Sequence, residues 1–323
     1  MTMKVSVLVP IYGVEQYIAQ CAESLFLQTY ENIEYIFVND CTKDRSVSVL
    51  EEVLERFPQR KPQVTILHHE QNKGLGAARL TAIQAATGDY LMHVDSDDEV
   101  PVNAVALLAK QAETSGSDIV DGGYAMMCCG KLSGSYMPYV GSKTAFLKLL
   151  LCQNIVLSMV WARLYKRELY WRYQVLPVPG IDYAEDLAIL PRLYYYATRS
   201  TVPSVVYHYR DDSAQSFTNT VMSDKVKRSY LKANSVVFDF YRQHDKQRLY
   251  DYPLQLGYIQ VLRMARLNDI PLSQVEEQCP FRLTNAVAKA VAAVMCSSCP
   301  MGIASLLYRM LRKVFEVKVR LFS

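Results

Sequence analysis

Three carboxylates stand within four residues at Asp95-Ser96-Asp97-Asp98, directly after the apolar stretch Tyr90-Leu-Met-His-Val94. Carboxylates on a tight turn beyond a buried strand suit a hard divalent cation, Mn2+ or Mg2+, shared with phosphate oxygens. A solvated acidic turn, or a helix N-cap before Pro101, is the plainer use of the same residues. A second apolar stretch, Ile33-Glu-Tyr-Ile-Phe-Val38, also runs into an aspartate, Asp40. Two strands of one sheet that both end in acid favour a built site over a chance turn.

The elements that must hold these residues follow from periodicity. Val-rich residues 4–9, followed by Pro10, read as a buried strand. Residues 15–27 have helical spacing, and Ser46 to Phe57 places Val47, Leu50, Val53 and Leu54 on one helical face. Val64 to Leu67 is a third strand, and Gly74 to Ala86 is an Ala-rich helix stopped by Thr87-Gly88. Strands alternating with helices of this length predict an α/β fold with a parallel sheet, in which ligands sit at the carboxyl ends of the strands. Residues 118–140 are strand-like with Gly-rich turns, 142–152 and 184–197 are helical, and 200–210 form a strand. Beyond residue 219 the β signal stops, and 223–243, 253–267, 283–295 and 302–315 all carry helical periodicity. The predicted division is therefore 1–218, a catalytic domain, and 219–323, a helical C-terminal region.

Other motifs carry less. Gly74-Leu-Gly76-Ala-Ala-Arg79 lacks the third glycine of a dinucleotide fingerprint and opens the third βα unit rather than the first. No GxxxxGK[ST] loop is present, which excludes a P-loop. Cys296-Ser-Ser-Cys299 is a single CxxC with no second pair, and the other six cysteines are scattered. With no signal-like segment ahead of them, the thiols are read as reduced and the chain as cytoplasmic.

At this point the ordered blocks identify a resemblance. Val5-Ser-Val-Leu-Val-Pro-Ile-Tyr12 resembles the opening strand of family 2 inverting glycosyltransferases of the GT-A fold. Gln28-Thr-Tyr30, Glu34-Tyr-Ile-Phe-Val-Asn-Asp40, Asn72-Lys-Gly74, Ala78-Arg79 and Ala86-Thr-Gly-Asp-Tyr90 are similar to its later blocks. Asp95-Ser-Asp-Asp98 stands where that family has its DxD. Val160 to Leu169 resembles the block before the catalytic base, and Glu185-Asp186 resembles the ED motif. Tyr207-His-Tyr-Arg210, with Ser213 and Ser216, is similar to the closing strand. The resemblance runs over residues 4–218. It implies a Rossmann-like mixed sheet flanked by helices, with the helical region as an extension.

It also implies a role for each residue. Pro10 and Tyr12 would line the nucleotide pocket, Asp40 would bind the base edge, and Arg79 would lie near the base or diphosphate. Asp95 and Ser96 would meet the ribose side of the donor. Asp97 would hold Mn2+ or Mg2+ across the diphosphate, with His208 as a further ligand and Arg210 pairing with phosphate oxygens. Asp186 would act as general base on the acceptor hydroxyl, with Glu185 beside it raising its pKa. The implied reaction is inverting transfer of one sugar from a UDP-linked donor to a glycan or lipid-linked hydroxyl. Gly13, Cys41, Leu80 and Ala82 depart from the family pattern at positions that shape the donor pocket. The alternatives are a silent nucleotide-sugar-binding module and a nucleotidyltransferase. The latter should carry a Gly-rich basic loop after the first strand, which Val9-Pro-Ile-Tyr-Gly13 is not.

Charge and composition complete the reading. The 323 residues are half hydrophobic with a formal net charge of +3, a globular composition without a general nucleic-acid-binding surface. Residues 301–323 hold Arg309, Arg312, Lys313, Lys318 and Arg320 against Glu316 alone, so the rest of the chain sums to −1. Leu306, Leu307, Met310, Leu311 and Val314 share a helical face beside those cations, as on a peripheral helix at an anionic membrane surface. The helix is expected to end before Lys318 and Arg320, where apolar and basic residues alternate. Nine tyrosines and both tryptophans fall between 161 and 210, as sugar-stacking faces or as core.

Overall fold

The computed structural model describes residues 3–153, 155–156, 158–211 and 222–321. It forms two compact units. The first comprises Met1–Pro138, Val160–Asp182 and Tyr196–Thr220; the second comprises Tyr139–Met159, Tyr183–Tyr195 and Val221–Ser323. The division is thus not one cut along the chain. The predicted boundary at 218/219 lies outside the described residues, and two earlier segments already cluster with the second unit.

The first unit is built on β1 (Val5–Ile11), every residue of which is buried. It lies between two parallel neighbours, β2 (Ile33–Asn39) and β4 (Tyr90–His93). A strand covered on both sides must be apolar throughout, which Val-Ser-Val-Leu-Val-Pro-Ile nearly is. β3 (Val64–His68) adds outside β2, also parallel. The helices between these strands are α1 (Ile18–Phe26), α2 (Ser46–Glu55) and α3 (Leu75–Ala85).

Past β4 the parallel pattern breaks. After α4 (Ala104–Ser115) come β5 (Ile119–Cys128) and β6 (Lys131–Tyr136). Later in the chain, β7 (Arg163–Lys166) inserts antiparallel to both β4 and β5, and β8 (Arg199–Arg210) pairs parallel with β5. The order is β3-β2-β1-β4-β7-β5-β6, with β8 beside β5. The first four strands are parallel, as their periodicity predicts, and the sheet as a whole is mixed, as the family resemblance implies. β7 is only four residues long, too short for its period to stand out, and pairing alone sets its direction.

The helices of the second unit are α5 (Lys143–Leu151), α7 (Glu185–Tyr196), α8 (Asp224–His244), α9 (Asp251–Leu267), α10 (Leu272–Gln278), α11 (Ala286–Cys296) and α12 (Met301–Leu321). α6 (Glu168–Arg172) is a short turn of helix in the first. α7 belongs with the later helices because Tyr241 on α8 donates its hydroxyl to the Pro191 carbonyl at 2.9 Å. α5 joins them because Ala145 and Leu149 pack on Val319. That contact also explains a second correction. α12 runs unbroken through Lys318 and Arg320, its buried Val319 facing α5 while Glu316 bridges Lys313 and Arg320 one turn either side.

Candidate active site

β1, β2 and β4 end side by side, so Tyr12, Asp40 and Asp95 leave adjacent strands at one edge of the sheet. Pro10 is buried within β1, and Tyr12 just beyond it is half exposed. The turn after β2 needs a left-handed residue at position 41, and Cys41 supplies it at φ 57°. Glycine, common there in the resembling family, would adopt that angle without strain.

Asp40 is buried and fully engaged by protein. Its Oδ1 accepts from the Lys73 amide at 2.8 Å and meets His69 Nδ1 at 2.6 Å; its Oδ2 accepts from the Gly74 amide at 2.8 Å. His69 Nε2 reaches Thr81 Oγ1 at 2.9 Å. Asp40 therefore ties the end of β2 to the loop that starts α3, so a base edge expected at this carboxylate would share it with three protein donors. At Gly74 the backbone has φ +88°, and a Cβ there would lie 2.1 Å from Asp182 Oδ1. Gly76 is equally constrained, since a Cβ would come within 2.6 Å of the Ile181 carbonyl. The 178–182 segment thus lies on the start of α3.

Arg79, buried on α3, reaches Asp95 Oδ1 at 3.0 Å. That places it beside the acidic turn. Asp95 keeps 28% of its side chain exposed, and Ser96 is buried. The turn from Asp95 to Glu99 is held from β8. Tyr207 donates its hydroxyl to Asp98 Oδ2 at 2.7 Å and accepts from the Asp95 amide at 3.0 Å. The Arg210 amide donates to Asp98 Oδ1 at 2.7 Å, its Nε donates to the Asp97 carbonyl at 2.9 Å, and its terminal nitrogen meets Glu99 at 3.0 Å. Arg210 also covers the Tyr17 ring at 5.1 Å. The guanidinium expected to grip phosphate is thus, first, a clamp on the DxDD turn. His208, between these two residues, pairs its backbone with Glu99.

The electrostatics follow from this packing. Burial, then the charges of Asp97 and Asp95, push the Asp98 carboxyl well above the usual carboxylate range, against the hydrogen bonds from Arg210 and Tyr207. Burial lowers His208, with Glu99 opposing it, so the imidazole favours its neutral, ligand-competent form. Negative charge is thus concentrated on one turn, and a divalent cation would relieve it. Among the described residues no three His, Cys, Asp or Glu side chains converge as a ready-made metal site. A cation at partly exposed Asp97 would have to draw most of its oxygens from elsewhere, such as a bound phosphate group, a manner common for Mg2+.

Glu185 and Asp186 open α7, both buried, after Ala184 in a left-handed turn at φ 61°. They belong to the second unit, whereas the strand-end acids belong to the first. Ser213 and Ser216 lie outside the described residues. Sequence reasoning missed His69, Asp98, Asp182 and Tyr207 as site-builders. For Asp98 the sequence held no signal: it carries the same side chain as its neighbour Asp97, and only the fold buries it.

The clustered aromatics are mostly core. Trp161 stacks on Tyr207 with centroids 4.6 Å apart and on Tyr209 at 5.5 Å. Tyr165, Tyr170 and Tyr194 are fully buried, while Tyr195 and Tyr196 are partly exposed.

Comparison with known proteins places these features in context. The family model "Glycosyl transferase family 2" matches residues 6–174, just over half the chain. The Bacillus subtilis (strain 168) protein described as "Uncharacterized glycosyltransferase EpsJ" is 35% identical over 193 residues, covering 56% of this chain and 53% of that protein. The chain spans about half the length of the curated relatives it matches, from 40% to 61% for three of them. Among solved structures, S. aureus TarS 1-349 in complex with UDP superposes with a TM-score of 0.63 at 18% identity, covering 99% of this chain and 92% of that one. The same protein in complex with UDP-GlcNAc gives 0.61 at 17% identity, over 96% of this chain and 92% of that one. A mannosyltransferase from Pyrobaculum calidifontis in complex with GDP-Man and Mn2+ gives 0.51 at 15% identity, over 99% and 87%. At these identities the structural likeness establishes the GT-A fold.

Proposed function

Because the chain belongs to glycosyl transferase family 2, we propose that it transfers one sugar, with inversion, from a UDP-linked donor to a hydroxyl of a glycan or lipid-linked acceptor. The observation that carries the reading is the acidic turn after β4, clamped by Tyr207 and Arg210 and flanked by Arg79 and the Asp40-bound loop. Such a turn offers a rigid, negatively charged seat at the carboxyl edge of the sheet, where nucleotide-binding α/β folds hold ligands. Structural neighbours in complex with UDP, with UDP-GlcNAc, and with GDP-Man and Mn2+ support a nucleotide-sugar donor and a divalent cation.

In this reading Pro10 and Tyr12 border the nucleotide, and Asp95 and Ser96 face its ribose. Arg79 restrains Asp95 so that the turn keeps its shape. Asp97 and His208 would hold Mn2+ or Mg2+. When bound, the ion would neutralise charge building on the departing diphosphate. Asp186 takes the proton of the acceptor hydroxyl as its oxygen bonds to the anomeric carbon, the bond to the diphosphate breaks, and the nucleoside diphosphate leaves. Glu185, buried beside it in sequence, disfavours a second full negative charge and so helps Asp186 take that proton. Contact with the cytoplasmic face of a membrane through basic α12 would bring a lipid-linked acceptor within reach.

A screen of nucleotide sugars with Mn2+ or Mg2+, read by thermal shift and by release of nucleoside diphosphate, tests the reading. A bound donor raises apparent stability by mass action. Release of pyrophosphate would point to a nucleotidyltransferase, and binding without any release or transfer to a silent module.

A further inference from the structure

α12 has two faces. Ala304, Ser305, Tyr308 and Val319 are buried, and the Tyr308 hydroxyl reaches the Cys152 carbonyl at 3.3 Å. The opposite face is apolar as well: Ile303, Leu307, Met310, Val314, Val317 and Leu321 are 38% to 72% exposed. Their spacing alternates four and three residues, a straight apolar seam along the helix. Leu306, also exposed, widens it. From Arg282 to the end of α12 the only acid is Glu316, which Lys313 and Arg320 already bridge. Arg309, Lys313, Lys318 and Arg320 are exposed along the seam.

We propose that this face of α12 seats the second unit on an anionic bilayer, the helix lying in the plane of the interface. This rests on the membrane contact read above and specifies its surface and its lipid. The charges choose the occupant. Two copies paired in parallel along the seam would set Lys313, Lys318 and Arg320 against the same cations of the other copy, and in antiparallel pairing the helix offers them no acid but Glu316, already bridged. An anionic headgroup layer meets all of them, and their long stems let the charges reach it while the seam sinks into acyl chains. Beside the seam, Leu311, Val314 and Lys318 help wall a largely apolar cavity of about 640 Å3. Fluid acyl chains can enter such a hollow; a rigid partner helix would bridge over it. Among the described residues no helix is long and apolar enough to cross a membrane, so the contact is with the surface.

The test is flotation of the full chain with vesicles of mixed phosphatidylglycerol and phosphatidylcholine, and with phosphatidylcholine alone. The chain should float with the anionic vesicles at low salt and not with the neutral ones. R309Q/K313Q/K318Q should weaken binding roughly a hundredfold, at the usual contribution of a basic residue near an anionic surface. M310D/V314D should abolish flotation while leaving UDP-induced thermal stabilisation unchanged, since both side chains are exposed. No flotation of the unchanged chain, or undiminished flotation of M310D/V314D, overturns the proposal. So does a lipid-free dimer that M310D/V314D dissolves, which would assign the seam to a second copy. Flotation depends on neither sugar transfer nor nucleotide binding, so a failure of the proposed activity leaves that readout intact.

Discussion

The Tyr207 hydroxyl bridges the acidic turn, donating to Asp98 at 2.7 Å while accepting from the Asp95 amide at 3.0 Å. One phenol on β8 therefore holds both ends of the DxDD turn, from 109 residues away. The pair is buried, so each group is costly to leave alone.

Tyr207→Phe should lower stability by about 1–3 kcal/mol, the cost of leaving a buried acceptor and amide unpaired. Asp98→Asn should stay within about 1 kcal/mol of the unchanged protein, because burial already favours the uncharged acid. The sign is that of a raised carboxyl: ionised Asp98 opposes folding as pH climbs past the ordinary aspartate range. Denaturant midpoints from pH 4 to 8 should thus fall less for D98N than for the parent. The reverse order of the two variants would refute this account of the turn.

Asp97→Asn and Asp186→Asn should separate two roles. Each should cut nucleoside diphosphate release by roughly a hundredfold or more. Only D97N should lose the dependence of donor binding on Mn2+ or Mg2+, whereas D186N should bind donor as before. Turnover that survives both substitutions would sink the proposed mechanism.

Glu34 makes the first unit acid-sensitive. Burial alone would raise its carboxyl, but hydrogen bonds from Lys4, Ser6 and Thr87 outweigh it and hold it at about 2. A depressed acid stabilises above its unfolded pKa, and the contribution drains away as pH falls from 4.5 towards about 2. Glu34→Gln should therefore lower the melting temperature at pH 7, by about 1–3 kcal/mol of stability. The gap to the parent should close over that acid window, and a constant gap would remove Glu34 as its cause.

Gly74→Ala should destabilise by about 1–3 kcal/mol, since the backbone at φ +88° and ψ 165° is nearly closed to other residues. The new methyl would also strike the Asp182 carboxylate. G74A/D182A should recover only the part due to that clash. Full recovery, read from denaturant midpoints, would mean that the backbone angle contributes nothing.

The strand-end acids were legible because each follows a mostly apolar run, and a buried strand must surface where its polar residues begin. The roles within the cluster were not. Asp97 and Asp98 are neighbours with the same side chain, yet one is half exposed and the other buried under Tyr207 and the Arg210 amide. Asp40 and Arg210 were expected to meet ligand, and they are found organising loops, through partners in turns far along the chain. α10 escaped notice because its seven residues bury only Val275. The end of α12 was misplaced because Val-Lys-Val-Arg alternates like a strand; packing of Val319 on α5 decided otherwise.

Local chemistry accounts for the α/β alternation, the acids at the sheet's edge, the helical C-terminal region and the basic tail, since apolar period and charge are properties of neighbouring residues. Folding decided the rest. β7 entered the sheet antiparallel, α7 with Glu185 and Asp186 clustered with the later helices, and Asp98 became a buried anchor. Those outcomes depend on hydrogen bonds and contacts between residues far apart in the chain. Periodicity, which compares each residue only with those a few places away, holds no record of them.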